Sequence, residues 1–259
     1  MTHHPTYSSS LAEPGQTPAG APAHMYLDTR RFVRFLAYAA CVMAVVGAFA
    51  NIVIYQIAET PEANLARVMS RFDLGHEPSL PAWFSSMVLL LNGAMLLLIG
   101  RAKRASSRPF AMHWLVLGVI FVGLSIDEAV MFHEMIDKLI SFGVSTDGFL
   151  LFPWAVVGLT FALIVFGAYY RFLAHLPLRF AALFIVSGSL FVGGAVGMEF
   201  IAGSIIDQHG VESIYHTIIQ TIEESLEMAG SILFFYALTE YWTWSYGGIS
   251  LKTAELGKS

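Results

Sequence analysis

Six apolar stretches, each long enough to cross a lipid bilayer, constrain the fold of this sequence more than any other feature. A transmembrane helix needs about 20 mostly apolar residues to cross roughly 30 Å of hydrocarbon. The stretches are 34–57, 82–100, 112–132, 149–170, 180–206 and 214–242. Of the 259 residues, 56% are hydrophobic and only 13% are charged, and the mean hydropathy is +0.64. Soluble domains do not have this composition. The sequence therefore predicts an all-α, polytopic membrane protein with a bundle of six transmembrane helices.

Lysine and arginine are distributed unevenly between the two sides of this predicted bundle. All of them except Arg67, Arg71 and Lys138 fall on the side that holds both termini. Because basic loop residues are retained on the cytoplasmic face, we expect both termini in the cytoplasm and the opposite half of the bundle to be anionic. A bacterial inner membrane is the location that we predict. The first apolar stretch is full length and follows a polar segment, so it is expected to remain as an anchor.

The rest of the chain divides into tails and loops around one domain. Residues 1–28, rich in Pro, Ser and Gly, predict a disordered tail; residues 29–246 form the transmembrane domain, and 247–259 form a cytoplasmic tail. In the first outer loop, Thr60 and Pro61 resemble a helix start, which predicts a short amphipathic helix over about 60–74. Its amphipathic face favours a position on the outer surface of the bundle.

A row of glycines in the fifth apolar stretch predicts close helix packing. Small residues at this spacing let a neighbouring backbone approach. They are Gly188, Gly193, Gly194 and Gly197. Cys41 is the single cysteine, so no disulfide within the chain and no cysteine-based metal site is expected. No basic and aromatic interleaving is present, which excludes nucleic acid as a predicted partner.

Carboxylates without nearby cations are the most informative chemical feature. No lysine or arginine occurs between Arg179 and Lys252, yet this apolar region contains Glu199, Glu223, Glu224 and Glu227. An ionised carboxylate is costly to remove from water, so such groups must share protons, face a wet cavity or bind a metal ion.

The third and sixth stretches each contain several of these polar groups. The third ends in the pattern D-E-x-x-x-x-H-E, formed by Asp127, Glu128, His133 and Glu134. In one straight helix, Asp127 and Glu134 lie about 20° apart on a common stripe. In the sixth, His216, Gln220, Glu223 and Glu227 follow the three-four spacing of a single helical face. Counting about 1.5 Å per residue puts both sets at overlapping depths in the outer half of the bundle.

We therefore expect a divalent metal site on the non-cytoplasmic side. The predicted ligands are Asp127, His133, Glu134, Glu199, His216, Glu223 and Glu227. Asn51 and Asn92 could supply further oxygen donors. Carboxylates with one or two imidazoles suit iron, manganese or zinc. The pattern departs from the E-x-x-H spacing of ferritin-like dimetal helices, which weakens any analogy to them.

Three functions remain open from the sequence. The first is a metal-dependent membrane enzyme acting on a lipid-soluble or small-molecule substrate, in which Glu128 or Glu224 transfers protons. The second is a transporter of protons or divalent cations that uses the same carboxylates. The third is a scaffold or accessory subunit, in a homo-oligomer or with a partner subunit, in which the acids are structural and the glycine row contacts the partner.

Overall fold

The computed structural model describes residues 24–26, 28–57, 63–75, 79–141, 146–247 and 250–252. The helices are α1 (Thr29–Ile57), α2 (Ala63–Met69), α3 (Leu80–Ala105), α4 (Ala111–Val130), α5 (Phe132–Ser141), α6 (Trp154–His175), α7 (Leu178–Val192), α8 (Glu199–His209) and α9 (Ile214–Tyr246). A short 3-10 helix, Gly148–Leu150, precedes α6, and a π-helical turn, Gly193–Met198, joins α7 to α8. Asp28–Gly247 forms the compact helical unit.

A second unit contains two three-residue strands, β1 (His24–Tyr26) and β2 (Ser250–Lys252). They pair antiparallel, with Met25 opposite Leu251. Both strands fall within the tails predicted from the sequence, of which residues 1–23, 27, 248–249 and 253–259 lie outside the described residues. Local composition did not indicate these strands, because their hydrogen-bond partners are separated by almost the whole chain.

Five helical segments are long and apolar enough to span a membrane. They are Thr29–Gln56, Leu80–Ala105, Ala111–Val130, Trp154–His175 and Leu178–His209. The last of these runs through α7, the π-helical turn and α8 without a break. The all-α class is thus confirmed, and five of the six predicted spans correspond to membrane-compatible helices. Helix α9 has 33 residues, about 50 Å at 1.5 Å per residue. It is not among the five, because its acidic residues lower its hydropathy.

Helix α9 is the element around which the helical unit packs. It contacts α1, α3, α7, α8 and the π-helical turn. Its buried residues begin at Met228 and continue to Tyr241, whereas residues from Ile214 to Glu227 are exposed or partly buried. The acidic half of α9 is therefore its less covered half.

Helices α3 and α4 form the most extensive helix pair. Gly93 and Gly118 let their backbones approach, since a Cβ on Gly93 would lie 3.1 Å from the Gly118 carbonyl oxygen. The pair is also joined by reciprocal hydrogen bonds of 2.8 Å, in which Ser86 Oγ donates to the Ser125 carbonyl and Ser125 Oγ donates to the Ser86 carbonyl. These contacts hold the C-terminal end of α4 against α3.

The start of α1 and the last turns of α9 lie next to each other in the bundle. Arg30 Nε donates to Glu240 Oε1 at 2.9 Å, and the Phe32 and Phe235 rings meet edge to face at 5.9 Å. Both ends of the helical unit therefore lie together, at an end that also contains Lys103 and Arg108. We call it the basic end.

The short outer helix is shorter than predicted. Of the predicted range 60–74, Thr60, Pro61 and Glu62 lie outside the described residues, and α2 ends at Met69. The chain then turns, with Phe72 N–H donating to the Met69 carbonyl, and Leu74 is buried against Gly47 of α1. Packing of Leu74 thus draws the chain out of the helical path.

Candidate acidic site

Two glutamates of α9 lie within electrostatic range of glutamates from two other helices. Glu223 interacts with Glu199 and Glu128, and Glu227 interacts with these same two carboxylates and with Glu223. We call Glu128, Glu199, Glu223 and Glu227 the acidic cluster. All four residues are partly buried. Glu224, one residue from Glu223, is also within range of Glu227.

A close backbone approach at Gly194 brings the π-helical turn against the acidic half of α9. A Cβ on Gly194 would lie 2.9 Å from the Glu223 carbonyl oxygen and 2.9 Å from Glu227 Cγ. Gly194 is the member of the predicted glycine row at which the described part of the chain shows close packing, because a Cβ on Gly188, Gly193 or Gly197 would meet no described atom within 4 Å. A π-helical turn has more residues per turn than an α-helix, so positions that would share an α-helical face do not.

The helix predicted to hold Asp127 and Glu134 on one stripe is broken. Helix α4 ends at Val130, and Met131 is left-handed with φ 61° and ψ 44°. Asp127 stabilises the break from both sides: its carbonyl accepts from Met131 N–H at 2.7 Å, and its Oδ1 accepts from His133 N–H at 3.0 Å. Asp127 Oδ2 lies 3.1 Å from His133 Nδ1. The straight-helix geometry is therefore wrong, and Asp127 and His133 bond each other.

Glu134 and His216, which were also predicted as metal ligands, contact other groups. Lys138 Nζ donates to Glu134 Oε2 at 3.0 Å in an exposed pair. His216 Nδ1 lies 2.9 Å from the Val211 carbonyl oxygen, at the start of α9. Within the described ranges, no three His, Cys, Asp or Glu side chains come close enough together to hold a metal ion as they stand.

Trp154 and Asp137 belong to the surroundings of the cluster, although the sequence pattern did not single them out. Trp154 Nε1 donates to Glu199 Oε1 at 3.1 Å, and Trp154 N–H donates to Asp137 Oδ1 at 2.7 Å. The His133 ring lies 4.9 Å from the Trp154 ring. Burial raises the pKa of Asp137, and the Trp154 N–H opposes that shift. The available signal was an acid within the amphipathic α5, but its partner lies 17 residues away in sequence.

Four buried side-chain oxygen atoms have no hydrogen-bond partner among the described residues: Asn51 Oδ1, Ser85 Oγ, Asn92 Oδ1 and Tyr246 Oη, the last of which lies at the opposite end of α9. Asn92 is fully buried, and its Nδ2 donates to the carbonyls of Val88 and Ser231 at 3.1 and 2.9 Å. Its remaining oxygen is thus an acceptor that lacks a donor. Buried polar groups are normally satisfied, so these acceptors suit water, a protonated carboxyl group or a cation.

The contacts between α3 and α9 give the level of the unpartnered α3 oxygens relative to the acidic residues. Helices α3 and α9 run in the same direction, because Asn92 contacts Ser231 and Lys103 lies over the Tyr241 ring farther along both. In α3, Ser85 lies two helical turns before Asn92, and in α9 Glu224 lies two helical turns before Ser231. Ser85 therefore lies at the level of the acidic residues of α9.

No curated protein and no solved structure matches the chain. Residues 33–241 match a family described as Domain of unknown function (DUF8692). This region runs from α1 to α9 and contains every residue of the acidic cluster. Because the match covers more than half of the sequence, the chain belongs to this family.

Proposed function

We propose that this chain is an integral membrane protein that binds a divalent cation at the acidic cluster. Five helices have the length and composition to span a bilayer. Helix α9 is the sixth span in this proposal, because it packs among α1, α3, α7 and α8. The basic end is cytoplasmic and the cluster lies on the other side, in agreement with the placement of lysine and arginine.

One observation carries the proposal. Glu223 and Glu227 of α9 lie within electrostatic range of Glu199 from α8 and of Glu128 from α4. Three of these four carboxylates, Glu199, Glu223 and Glu227, belong to a stretch of the chain without lysine or arginine, residues 180–251. Mutual repulsion and loss of hydration both disfavour this arrangement unless positive charge is supplied. A divalent cation supplies it directly.

The donors near the cluster are oxygens. His133 Nδ1 lies beside Asp127 Oδ2, and His216 Nδ1 lies beside the Val211 carbonyl, so these two imidazole nitrogens already have partners. The unpartnered Ser85 oxygen, at the level of the acidic residues of α9, adds a neutral acceptor, and the Asn92 oxygen lies two helical turns farther along α3. Carboxylate, amide and hydroxyl oxygens suit a hard ion. Of the metals predicted from the sequence, manganese fits this donor set better than iron or zinc.

Binding requires the glutamate side chains to turn inward, because no three ligands are close enough as they stand. The interactions recorded for Glu223 and Glu227 are electrostatic, and neither carboxylate hydrogen-bonds a described residue. Rotation of these two side chains therefore breaks no hydrogen bond. Glu128 and Glu199 complete the proposed ligand set. Catalysis, with Glu128 or Glu224 transferring protons, stays a prediction.

The experiment compares the parent with the double variant Glu223→Gln and Glu227→Gln. Glutamine keeps the size and removes both negative charges. The matched control is Glu212→Gln, an exposed acid on the same outer side. Purified protein is loaded with Mn²⁺, dialysed and measured by elemental analysis and by EPR of the remaining aqueous ion. We expect bound manganese in the parent and in the control, and its loss in the double variant.

A parent that retains no manganese, zinc or iron rejects the proposal, as does a double variant that retains as much as the parent. Equal elution profiles in size-exclusion chromatography establish that the variants are folded. If the acids are dispensable in this assay, the accessory-subunit function gains support. Gly194 packs within the chain itself, whereas a Cβ on Gly188, Gly193 or Gly197 would meet no described atom within 4 Å, so a partner at the glycine row stays a prediction.

Proton passage is the second candidate function. Ser85 and Asn92 extend the line of unpartnered oxygens by two turns, about 10 Å, from the cluster toward the basic end. Such a line can order water between helices. Proteoliposomes with an internal pH dye test this function: a flux that Glu227→Gln abolishes, without bound metal in the parent, favours proton passage over the metal site.

A further inference from the structure

A cavity opens at the basic end, far from the acidic cluster. Its volume is about 300 Å³, at the low end of the range for small-ligand sites. The lining residues are Lys103, Arg108, Pro109, His175, Leu176, Pro177, Tyr241, Trp244 and Ser245. Three of them are basic and none is acidic. Loops and ends of α3, α4, α6, α7 and α9 thus meet around a positively charged space.

The basic side chains are supported by aromatic rings rather than by carboxylates. Lys103 Nζ lies 5.2 Å from the Tyr241 ring centroid. Arg179 lies 4.4 Å from the Phe180 ring and 5.9 Å from the ring of Trp244, which lines the cavity. Among the ion pairs of the described residues, none includes Lys103, Arg108 or Arg179. Their positive charge is therefore not neutralised within the described part of the chain.

Two helices also begin at this cavity. Pro109 precedes the N-terminus of α4, and Leu176 and Pro177 precede that of α7. Neither helix has a side-chain cap at its N-terminus. The first N–H groups of a helix lack acceptors within it, and the helix dipole makes this end positive. Both features add to the attraction of Lys103, Arg108 and His175 for an anion.

We propose that this cavity binds a phosphate group. Several N–H donors from different directions suit the tetrahedrally arranged oxygens of a phosphate group better than the two coplanar oxygens of a carboxylate. Trp244 and Tyr241 are residues typical of the membrane interface, and basic pockets at the cytoplasmic ends of membrane helices bind anionic lipid headgroups. The phosphate belongs either to an anionic phospholipid or to a soluble phosphate ester, and the volume accommodates a headgroup rather than acyl chains.

The test uses the full-length protein in two arms. In the lipid arm, delipidated protein receives phosphatidylglycerol or phosphatidylcholine, and native mass spectrometry counts the retained lipid. In the soluble arm, inorganic phosphate is added and the thermal midpoint is measured in neutral detergent. The variant is Lys103→Gln with Arg108→Gln. Its matched control is Arg101→Gln with Arg104→Gln, which removes the same charge from exposed residues at the same end that do not line the cavity.

We expect the parent and the control to bind in at least one arm. The affinity of the variant should be lower by at least roughly tenfold, because one charge-assisted hydrogen bond is worth about a factor of ten. Preferential retention of phosphatidylglycerol identifies a lipid as the source, and stabilisation by phosphate alone identifies a soluble ester. A charge-conserving variant, Lys103→Arg, should retain binding and separates loss of charge from loss of folding.

Two results overturn the proposal. One is a parent that retains phosphatidylglycerol no better than phosphatidylcholine and is not stabilised by phosphate, a result that requires no mutation. The other is equal weakening by the variant and by the control, which would mean a diffuse surface charge instead of a defined site. Both readouts are independent of metal at the acidic cluster.

Discussion

Gly194→Ala tests whether close backbone approach assembles the acidic cluster. The added methyl group would lie 2.9 Å from the Glu223 carbonyl oxygen and 3.1 Å from the Glu227 backbone nitrogen. Both are main-chain atoms of α9, so no side-chain rotation relieves the contact. Helix α9 must shift away from the π-helical turn, which separates Glu223 and Glu227 from Glu199.

The magnitude follows from the cost of overpacking. An inserted methyl group that displaces backbone costs about 1–3 kcal/mol. For a chain of this size, each kcal/mol lowers the thermal midpoint by about 2–4 °C, so a decrease of roughly 2–12 °C is expected. Thermal unfolding of the detergent-purified protein measures this decrease, and the manganese assay should show weaker retention at the displaced cluster.

The matched control is Gly197→Ala, in the same π-helical turn. A Cβ there meets no described atom within 4 Å, so only helix propensity changes, and alanine is favoured over glycine by up to about 1 kcal/mol. The control should equal or exceed the parent in stability. If Gly194→Ala is as stable as Gly197→Ala and retains as much manganese, close approach at Gly194 does not form the site.

Two further predictions concern the outer loops and the α3–α4 pair. Burial raises the pKa of Asp137, so the folded chain holds its proton where the unfolded chain has lost it, and stability should fall as pH rises above about 4. Asp137→Asn keeps an acceptor for Trp154 N–H and should flatten this slope in thermal unfolding from pH 4 to 7; an unchanged slope would contradict the assignment. Ser86→Ala and Ser125→Ala each remove one of the reciprocal hydrogen bonds and should each cost about 0.6–1 kcal/mol. A double-mutant cycle in detergent unfolding should give less than the sum, whereas strict additivity would mean that the two hydroxyls act independently.

The membrane-compatible helices were predictable because hydropathy is a local property. Length and apolar composition identified the stretches that became α1, α3, α4, α6 and the run from α7 to α8. The number of stretches and the charge of their loops also predicted that both ends of the helical unit lie on the same side. The hydrogen bond between Arg30 and Glu240 joins these two ends. Neither inference needed knowledge of which helices touch.

The site was only partly predictable, because it depends on departures from a regular helix. The spacing of Asp127 and Glu134 assumes a continuous helix, and Met131 breaks it. A local hydrogen bond that the Asp127 side chain accepts from His133 N–H stabilises that break. Likewise, the π-helical turn changes which glycine faces α9. Trp154 contacts Glu199 across 45 residues, and no sequence periodicity reports such a contact.

The sequence by itself determined that this chain is helical, apolar enough for a membrane and acidic toward one end, since each of these properties is a sum over neighbouring residues. Tertiary structure decided which carboxylates approach one another, which histidines bond elsewhere, and that basic side chains and two helix N-termini surround one cavity. These outcomes depend on the directions in which side chains leave separate helices, and packing between helices sets those directions only when the whole bundle is assembled.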